Sequence, residues 1–152
     1  LNEIENLKEV NKSGIYFVNP NGVNGEAHDI KKYREKFKWF IVDEVYSDFY
    51  DSYSLINEIS DNTVIIKSLS KSLGFAGLRV GFCYGSTDLI NEVQKYRMSQ
   101  ITTSVASLVV PKIIKMTPQV VERMLETKNY LENKFDCKKS LSTRNRASAW
   151  TS

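Results

Sequence analysis

The stretch from Ser68 to Arg79 reads Ser-Leu-Ser-Lys-Ser-Leu-Gly-Phe-Ala-Gly-Leu-Arg and gathers three hydroxyls, two glycines, a lysine and an arginine. Hydroxyls and an arginine fork suit a phosphate, and small residues let backbone approach one closely. Lys71 has two possible uses there. It can pair with the phosphate, or, shielded from water among positive charge, its amine can attack a carbonyl and form a Schiff base. A second group stands upstream, where the apolar run Trp39–Val42 ends in Asp43-Glu44-Val45-Tyr46, a carboxylate and a phenol three residues apart. The order is neither the Gly-x4-Gly-Lys-Ser/Thr of a nucleotide-binding loop nor the Gly-x-Gly-x-x-Gly of a dinucleotide turn. On the residues alone, a serine-rich turn with an exposed lysine stays open as the alternative.

Such chemistry needs rigid elements behind it, and the hydrophobic pattern supplies them. Ile15–Asn19, stopped by Pro20, spells a strand, and Asn19–Gly25 (NPNGVNG) spells a loop. Glu26–Phe37 sets Ile30, Tyr33 and Phe37 at helical spacing, which predicts an amphipathic helix. Trp39–Asp43 is continuously apolar up to its aspartate and predicts a strand buried on both faces. Thr63–Leu69 and Val80–Tyr84 predict two more strands, with a short helix over Ser54–Ile59 before them. Beyond Tyr84 the period turns helical. Asp88–Tyr96 is capped by Thr87 or Asp88, Ser104–Met116 must kink or restart at Pro111, and Pro118–Phe135 has Thr117 as its start signal. Alternating strands and helices predict an α/β fold with a mostly parallel sheet. Ligands of such sheets sit beyond the carboxyl ends of the strands, where Asn19–Gly25, Asp43–Asp51 and Ser68–Arg79 fall.

The chain has 152 residues, 41% hydrophobic and 26% charged, the make-up of one ordinary globular domain. No run reaches the roughly 18–20 apolar residues that cross a bilayer, so no membrane partner is expected. Its net charge of +3 is concentrated at one end: residues 138–152 hold Lys138, Lys139, Arg144 and Arg146 without an acid, and apart from these, 17 basic residues meet 18 acidic ones. A nucleic-acid binder spreads its basic residues through the fold, so that class is set aside. Cys83 and Cys137 are too few for a disulfide framework, and His28 alone cannot build a multi-histidine metal centre; no metal is expected. Cys83 reads as a small core residue, and His28 and the run Lys31-Lys32-Tyr33-Arg34 as solvated helix positions. Arg97 reads as surface charge, with a contact to an anionic substrate group as the alternative. Residues 138–152 lack periodicity and are expected to be a disordered or non-native tail. The chain opens at Leu1 in a polar, helix-like run with no leader pattern, which points to a piece of a longer protein.

Asp43-Glu44-Val45-Tyr46, then Ser68-Leu69-Ser70-Lys71, then Gly77-Leu78-Arg79 with its arginine eight residues past the lysine, resembles the fold-type I pyridoxal-phosphate aminotransferases of class I/II. Within them it is most similar to the histidinol-phosphate aminotransferase branch. The likeness runs from about Ile15 to Phe135 and implies a central fragment: 1–116 as a portion of the cofactor-binding large domain and 117–137 as a helix leading toward the small domain. It implies pyridoxal 5′-phosphate as cofactor and Lys71 as the catalytic residue, holding it as an imine and later moving the substrate's proton. Asp43 is implied to pair with the ring nitrogen and keep it protonated. Tyr46 is implied to donate to the ring oxygen, and Ser68, Ser70 and Arg79 to hold the phosphate. For Ser68 and Ser70 a local backbone cap is the competing role.

The chain departs from the family's pattern in one place. The family's Asn-Pro-x-Asn-Pro-Thr-Gly is here Asn19-Pro20-Asn21-Gly22-Val23-Asn24-Gly25, so Gly22 stands where a second asparagine also bonds the ring oxygen. Either Asn21 or Asn24 shifts in, or that bond is lost. The implied reaction passes an amino group between an amino acid or amino-phosphate and a 2-oxo acid, with histidinol phosphate and 2-oxoglutarate as the favoured pair, in a cytoplasmic homodimer. The alternatives are a decarboxylase of amino-acid phosphates on the same fold and an inactive truncated remnant. These 152 residues alone are expected not to transaminate. The family's upstream glycine-rich loop, its stacking aromatic and its arginine for the substrate carboxylate have no counterpart in the chain.

Overall fold

The computed structural model describes residues 14–50, 52–97 and 103–135. The expectations for the opening run, for Cys137 and for the tail 138–152 lie outside the described residues. Four strands form one sheet in the order β1 (Gly14–Val18), β2 (Trp39–Asp43), β3 (Thr63–Ser68) and β4 (Gly81–Tyr84). β1, β2 and β3 run parallel, while β4 pairs antiparallel with β3. The expected α/β architecture with a mostly parallel sheet is therefore the one adopted. Because β1–β3 point the same way, the segments that follow them emerge along one edge of the sheet, as the expected ligand side requires.

The core lies against one face of this sheet. Phe40, Val42 and Ile65 are fully buried there with Ile30, Tyr33, Phe37 and Leu55, and Ile15, Phe17, Ile56 and Tyr84 pack around them. Phe17 holds the group together, its ring 5.3 Å from Phe40 and 6.3 Å from Tyr33 between centroids. Period-two alternation puts the other side chains of β1 and β2 on the opposite face. There Tyr16 and Val18 are exposed, and Trp39 is 38% exposed, so among the described residues β2 is not covered on both sides as its apolar run predicts. Cys83 opens onto that face too and is exposed, not a core residue, because its register partner is Ile66 rather than the inward Ile65.

Two helical expectations are not met. Only Lys31–Lys36 of the stretch 26–37 is helical, and it is a 3₁₀ turn. Buried Asn19 binds the backbone of His28 on both sides, its Oδ1 accepting from N–H and its Nδ2 donating to C=O, and Asn24 accepts from the N–H of Glu26. Those bonds keep 26–28 out of a helix. His28 is therefore on a loop, solvated, 3.6 Å from Glu26. Asn62 closes the 3₁₀ turn by donating to the carbonyls of Arg34 and Phe37. The stretch Ser54–Ile59, expected to be a short helix, is a set of turns, in which the N–H of Leu55 donates to the Glu44 carboxylate at 2.7 Å.

α1 (Leu69–Ser72) is one helical turn that begins at Leu69, expected to be the last residue of a strand, and a 3₁₀ turn at Ala76–Leu78 leads to β4. The helices beyond β4 follow the sequence closely. α2 (Thr87–Lys95) is capped one residue earlier than expected, by Ser86, whose Oγ accepts from the N–H of Leu89. α3 (Ser104–Ile113) carries Pro111 inside, gives way to a 3₁₀ turn at Ile114–Met116, and the chain starts again as α4 (Thr117–Phe135). The break comes just past the proline, which lacks the N–H that would continue the ladder. Among the described residues no helix is long and apolar enough to cross a membrane.

Candidate active site

Asp43 is the last residue of β2, and its half-buried carboxylate is held at both oxygens. Oδ1 accepts from the N–H of Val45 at 3.1 Å and Oδ2 from the hydroxyl of Tyr16, on neighbouring β1, at 2.5 Å. Tyr16 is pushed up to about 12, first by this hydrogen bond, then by desolvation and by the negative charge of Asp43. Glu44 turns the opposite way and is buried, receiving Ser54 Oγ at 2.5 Å and the N–H of Leu55 at 2.7 Å. Lys67 of β3 completes that knot. Its Nζ donates to Ser47 Oγ at 2.6 Å and lies 3.9 Å from Glu44 and 3.6 Å from Asp48. The segment that carries Tyr46 is thus tied down on the inner side by a closed polar network.

β3 ends at Ser68, which is also the N-cap of α1. Ser68 Oγ accepts from the N–H of Ser70 at 3.1 Å and lies 3.0 Å from Ser70 Oγ and 3.3 Å from the carbonyl of Val80. The local capping role is therefore present for Ser68, whose hydroxyl also joins the β3–α1 junction to the residue after Arg79. Lys71 is exposed on α1, with its Nζ 5.3 Å from the centroid of the Tyr46 ring. Among the described residues no carboxylate lies within ion-pair distance of Lys71. A lysine amine over an aromatic face is attracted to the ring's negative quadrupole without losing its access to a reactant.

Arg79 is exposed and follows the 3₁₀ turn in the left-handed region, with φ 54° and ψ 40°. That conformation costs a non-glycine residue roughly 1–2 kcal/mol and concentrates at functional positions. Its guanidinium makes a 3.4 Å contact with the carbonyl of Ala76, leaving most of its fork open. Arg97 is exposed and lines the same open groove of about 770 Å³ as Arg79. The structure brings together Tyr46 with Lys71, and Ser68 with Ser70 and the backbone beside Arg79. The partners of the Asp43 carboxylate are Tyr16 and the backbone of Val45.

In the loop after β1, Asn21 Oδ1 accepts from the N–H of Val23 at 2.8 Å and Asn24 Oδ1 from the N–H of Glu26 at 3.0 Å, both in local turns. The Tyr46 ring lies directly against Gly22. A Cβ on residue 22 would sit 2.6 Å from Cε2 and 3.2 Å from Cζ of Tyr46, so this ring placement requires glycine. Gly22, Val23, Tyr46 and, from α4, Met124 and Leu125 border a cleft of about 400 Å³.

Sequence reasoning did not find Tyr16, nor the seating of Tyr46 on Gly22. Tyr16 alternates with the inward Ile15 and Phe17, which marks it as outward-facing, but its meeting with Asp43 needs the parallel register that pairs Val18 with Asp43. Taken together, the site offers an amine, a clamped carboxylate, a phenol, two hydroxyls and an open guanidinium along the carboxyl edge of the sheet.

The comparisons agree on where such an arrangement belongs. The family model described as aminotransferase class I and II matches residues 2–141. The histidinol-phosphate aminotransferase of Christiangramia forsetii is 34% identical over 128 residues, which cover 77% of this chain and 37% of that protein. The aspartate aminotransferase of Thermotoga maritima superposes with a TM-score of 0.69 at 22% identity, covering 90% of this chain and 40% of its own. L-threonine-O-3-phosphate decarboxylase of Porphyromonas gingivalis shares the fold at TM-score 0.57 and 20% identity, covering 70% and 37%. The chain spans well under half the length of these proteins. On the match to the family model and the identity to a curated relative, this chain belongs to the class I and II aminotransferases, a family of pyridoxal-phosphate enzymes.

Proposed function

We propose that this chain carries the cofactor-holding centre of a pyridoxal-phosphate aminotransferase that passes an amino group between an amino acid or amino-phosphate and a 2-oxo acid. The observation that carries this reading is the contrast at Lys71: an exposed amine over the Tyr46 ring, with no carboxylate partner among the described residues, one strand away from a carboxylate clamped at both oxygens. Bound pyridoxal 5′-phosphate supplies an electron-accepting ring and an aldehyde that reacts with amines. The donor set fits it. Asp43 would face the ring nitrogen and hold a proton there by its charge. Lys71 would bind the aldehyde carbon, then, once freed by the incoming amine, take the proton from the substrate's α-carbon and return it. Tyr46 would donate to the ring oxygen from its seat on Gly22. Arg79 and the hydroxyls of Ser68 and Ser70 would hold the phosphate, and their hydrogen bonds keep the ring from shifting while bonds change at its other end.

The similarity to histidinol-phosphate aminotransferases supports histidinol phosphate with 2-oxoglutarate as the substrate pair. We extend the reading to 1–116 as part of the large domain, to α4 as the helix toward a small domain, and to a cytoplasmic homodimer. A decarboxylase of amino-acid phosphates is the second reading, favoured by the fold shared with the threonine-phosphate enzyme. The test is borohydride reduction in the presence of pyridoxal 5′-phosphate, followed by peptide mapping. The pyridoxyl group is expected on Lys71; finding it on Lys67 overturns the assignment. Product analysis then separates the two reactions, since a transaminase converts the amine to an oxo compound while the 2-oxo acid becomes an amino acid, and a decarboxylase releases carbon dioxide.

A further inference from the structure

The geometry points to Tyr16 as a positioning residue that fixes the Asp43 carboxylate in the plane from which it meets the cofactor's ring nitrogen; this rests on the proposed cofactor reading. A carboxylate at a strand end has a free torsion, and a charge that swings cannot hold a proton on a partner at one place. Here the torsion is pinned by two donors from different elements. The N–H of Val45, in the same chain segment, holds Oδ1 at 3.1 Å, and the hydroxyl of Tyr16, in β1, holds Oδ2 at 2.5 Å. The backbone donor sets where the group starts and the phenol sets how it is turned. Tyr16 stands two register pairs back from the Val18–Asp43 pair, on the same outward face, so its long side chain reaches the carboxylate along the sheet surface. A shorter residue at 16 would not reach. Each carboxylate oxygen still has a second lone-pair direction, so the clamp leaves Asp43 able to accept from a ring nitrogen.

A phenol donating to a carboxylate resists losing its proton, since the phenolate would face a second negative charge at hydrogen-bond distance. Tyr16 shows this resistance: it is pushed up to about 12 with Asp43 as the leading cause. At the pH where aminotransferases work, the donor is therefore always in place. The role differs from that of Tyr46, which lies on the other side of the aspartate in the chain and faces Lys71 rather than Asp43.

Two measurements on the full chain test the proposal, and neither needs turnover. The first uses tyrosine labelled at Cζ and follows the phenols by NMR without cofactor. One resonance should titrate near 12; it should vanish in Tyr16→Phe and move back toward about 10 in Asp43→Asn. A Tyr16 that titrates near 10 in the unaltered chain overturns the proposal and leaves the cofactor reading standing. The second traps the pyridoxyl group on Lys71 with borohydride and titrates its ring nitrogen by absorbance. Asp43→Asn should lower that titration by roughly 1–3 pH units, the range of a close opposite charge. Tyr16→Phe should lower it by less, and Tyr16→Phe/Asp43→Asn by no more than Asp43→Asn alone, because Tyr16 acts only through Asp43. Additive effects, or no effect of Tyr16→Phe, overturn the proposal. Failure to trap any pyridoxyl group on Lys71 of the unaltered chain overturns the cofactor reading and the proposal with it.

Discussion

Lys67 and Lys71 leave the same strand end four residues apart and live in different worlds. Lys67 shares the core-side face of β3, is three-quarters shielded, and spends its donors on Ser47, Glu44 and Asp48. Lys71, one helical turn later, is exposed and has an aromatic face for company. The first is saturated: charge, hydrogen bonds and burial balance within the chain, and the result is a rigid join between the ends of β2 and β3. The second is unsaturated, together with the open fork of Arg79. Saturation builds the frame, and the groups left with spare valence are the ones able to bind something from outside.

The largest expected effect breaks the comparison at its sharpest point. Lys71→Ala should reduce pyridoxyl labelling to background while circular dichroism stays unchanged, whereas Lys67→Met should keep the labelling on Lys71. The reverse pattern in peptide mapping would mean that the two lysines have exchanged roles.

Next comes the saturated side. Glu44→Leu strands the Ser54 hydroxyl and the Leu55 N–H together, while Lys67 keeps Ser47 and Asp48. The expected loss is about 2–3 kcal/mol in urea unfolding, the cost of leaving two donors without an acceptor. A loss under about 1 kcal/mol would show that Glu44 is spare, as surface ion pairs often are.

Gly22→Asn sharpens the unsaturated side. The new Cβ meets the Tyr46 ring at 2.6 Å, so either the ring moves off or the loop does. A destabilisation of about 1–3 kcal/mol is expected for overpacking of this kind. A changed chemical shift of the Tyr46 ring and of the Lys71 side chain should accompany it, and an unmoved Tyr46 resonance would refute the seating.

The smallest effect is a pH dependence. Tyr16 holds its proton up to about 12 in the folded chain, against about 10 when unfolded. The folded state therefore binds the proton more tightly, and this contribution is full below pH 10 and is lost as pH rises through 12. Stability should fall more steeply across that window in the unaltered chain than in Tyr16→Phe. Parallel slopes would remove the Tyr16–Asp43 bond from the account.

Much of the fold was legible from local pattern. The apolar runs of β2 and β3 locate those strands within a residue, and Pro111 marks the place where α3 gives out. The failures have causes that lie elsewhere in the chain. Asn19 takes the backbone of His28 out of the helix that Ile30, Tyr33 and Phe37 predict. Cys83 reads as core in a strand of apolar neighbours, but which of two alternating positions faces inward depends on pairing with β3. At the candidate site, Ser68, Ser70, Lys71 and Arg79 stand close in sequence, so their grouping was readable, as was Tyr46 three residues after Asp43.

Sequence by itself therefore determined the residue types, their spacing, the alternation of strands and helices, and membership of the aminotransferase family. All of these are properties of short windows, set by periodicity, turn chemistry and motif order. Tertiary structure alone decided which distant groups meet. Tyr16 lies on Asp43 across a parallel register, Lys67 reaches Ser47 from the next strand, and the Tyr46 ring takes the space that a side chain at Gly22 would need. Each of those meetings joins residues at least 20 positions apart. Their geometry depends on strand register and on the volume left by neighbours, and no local propensity encodes either.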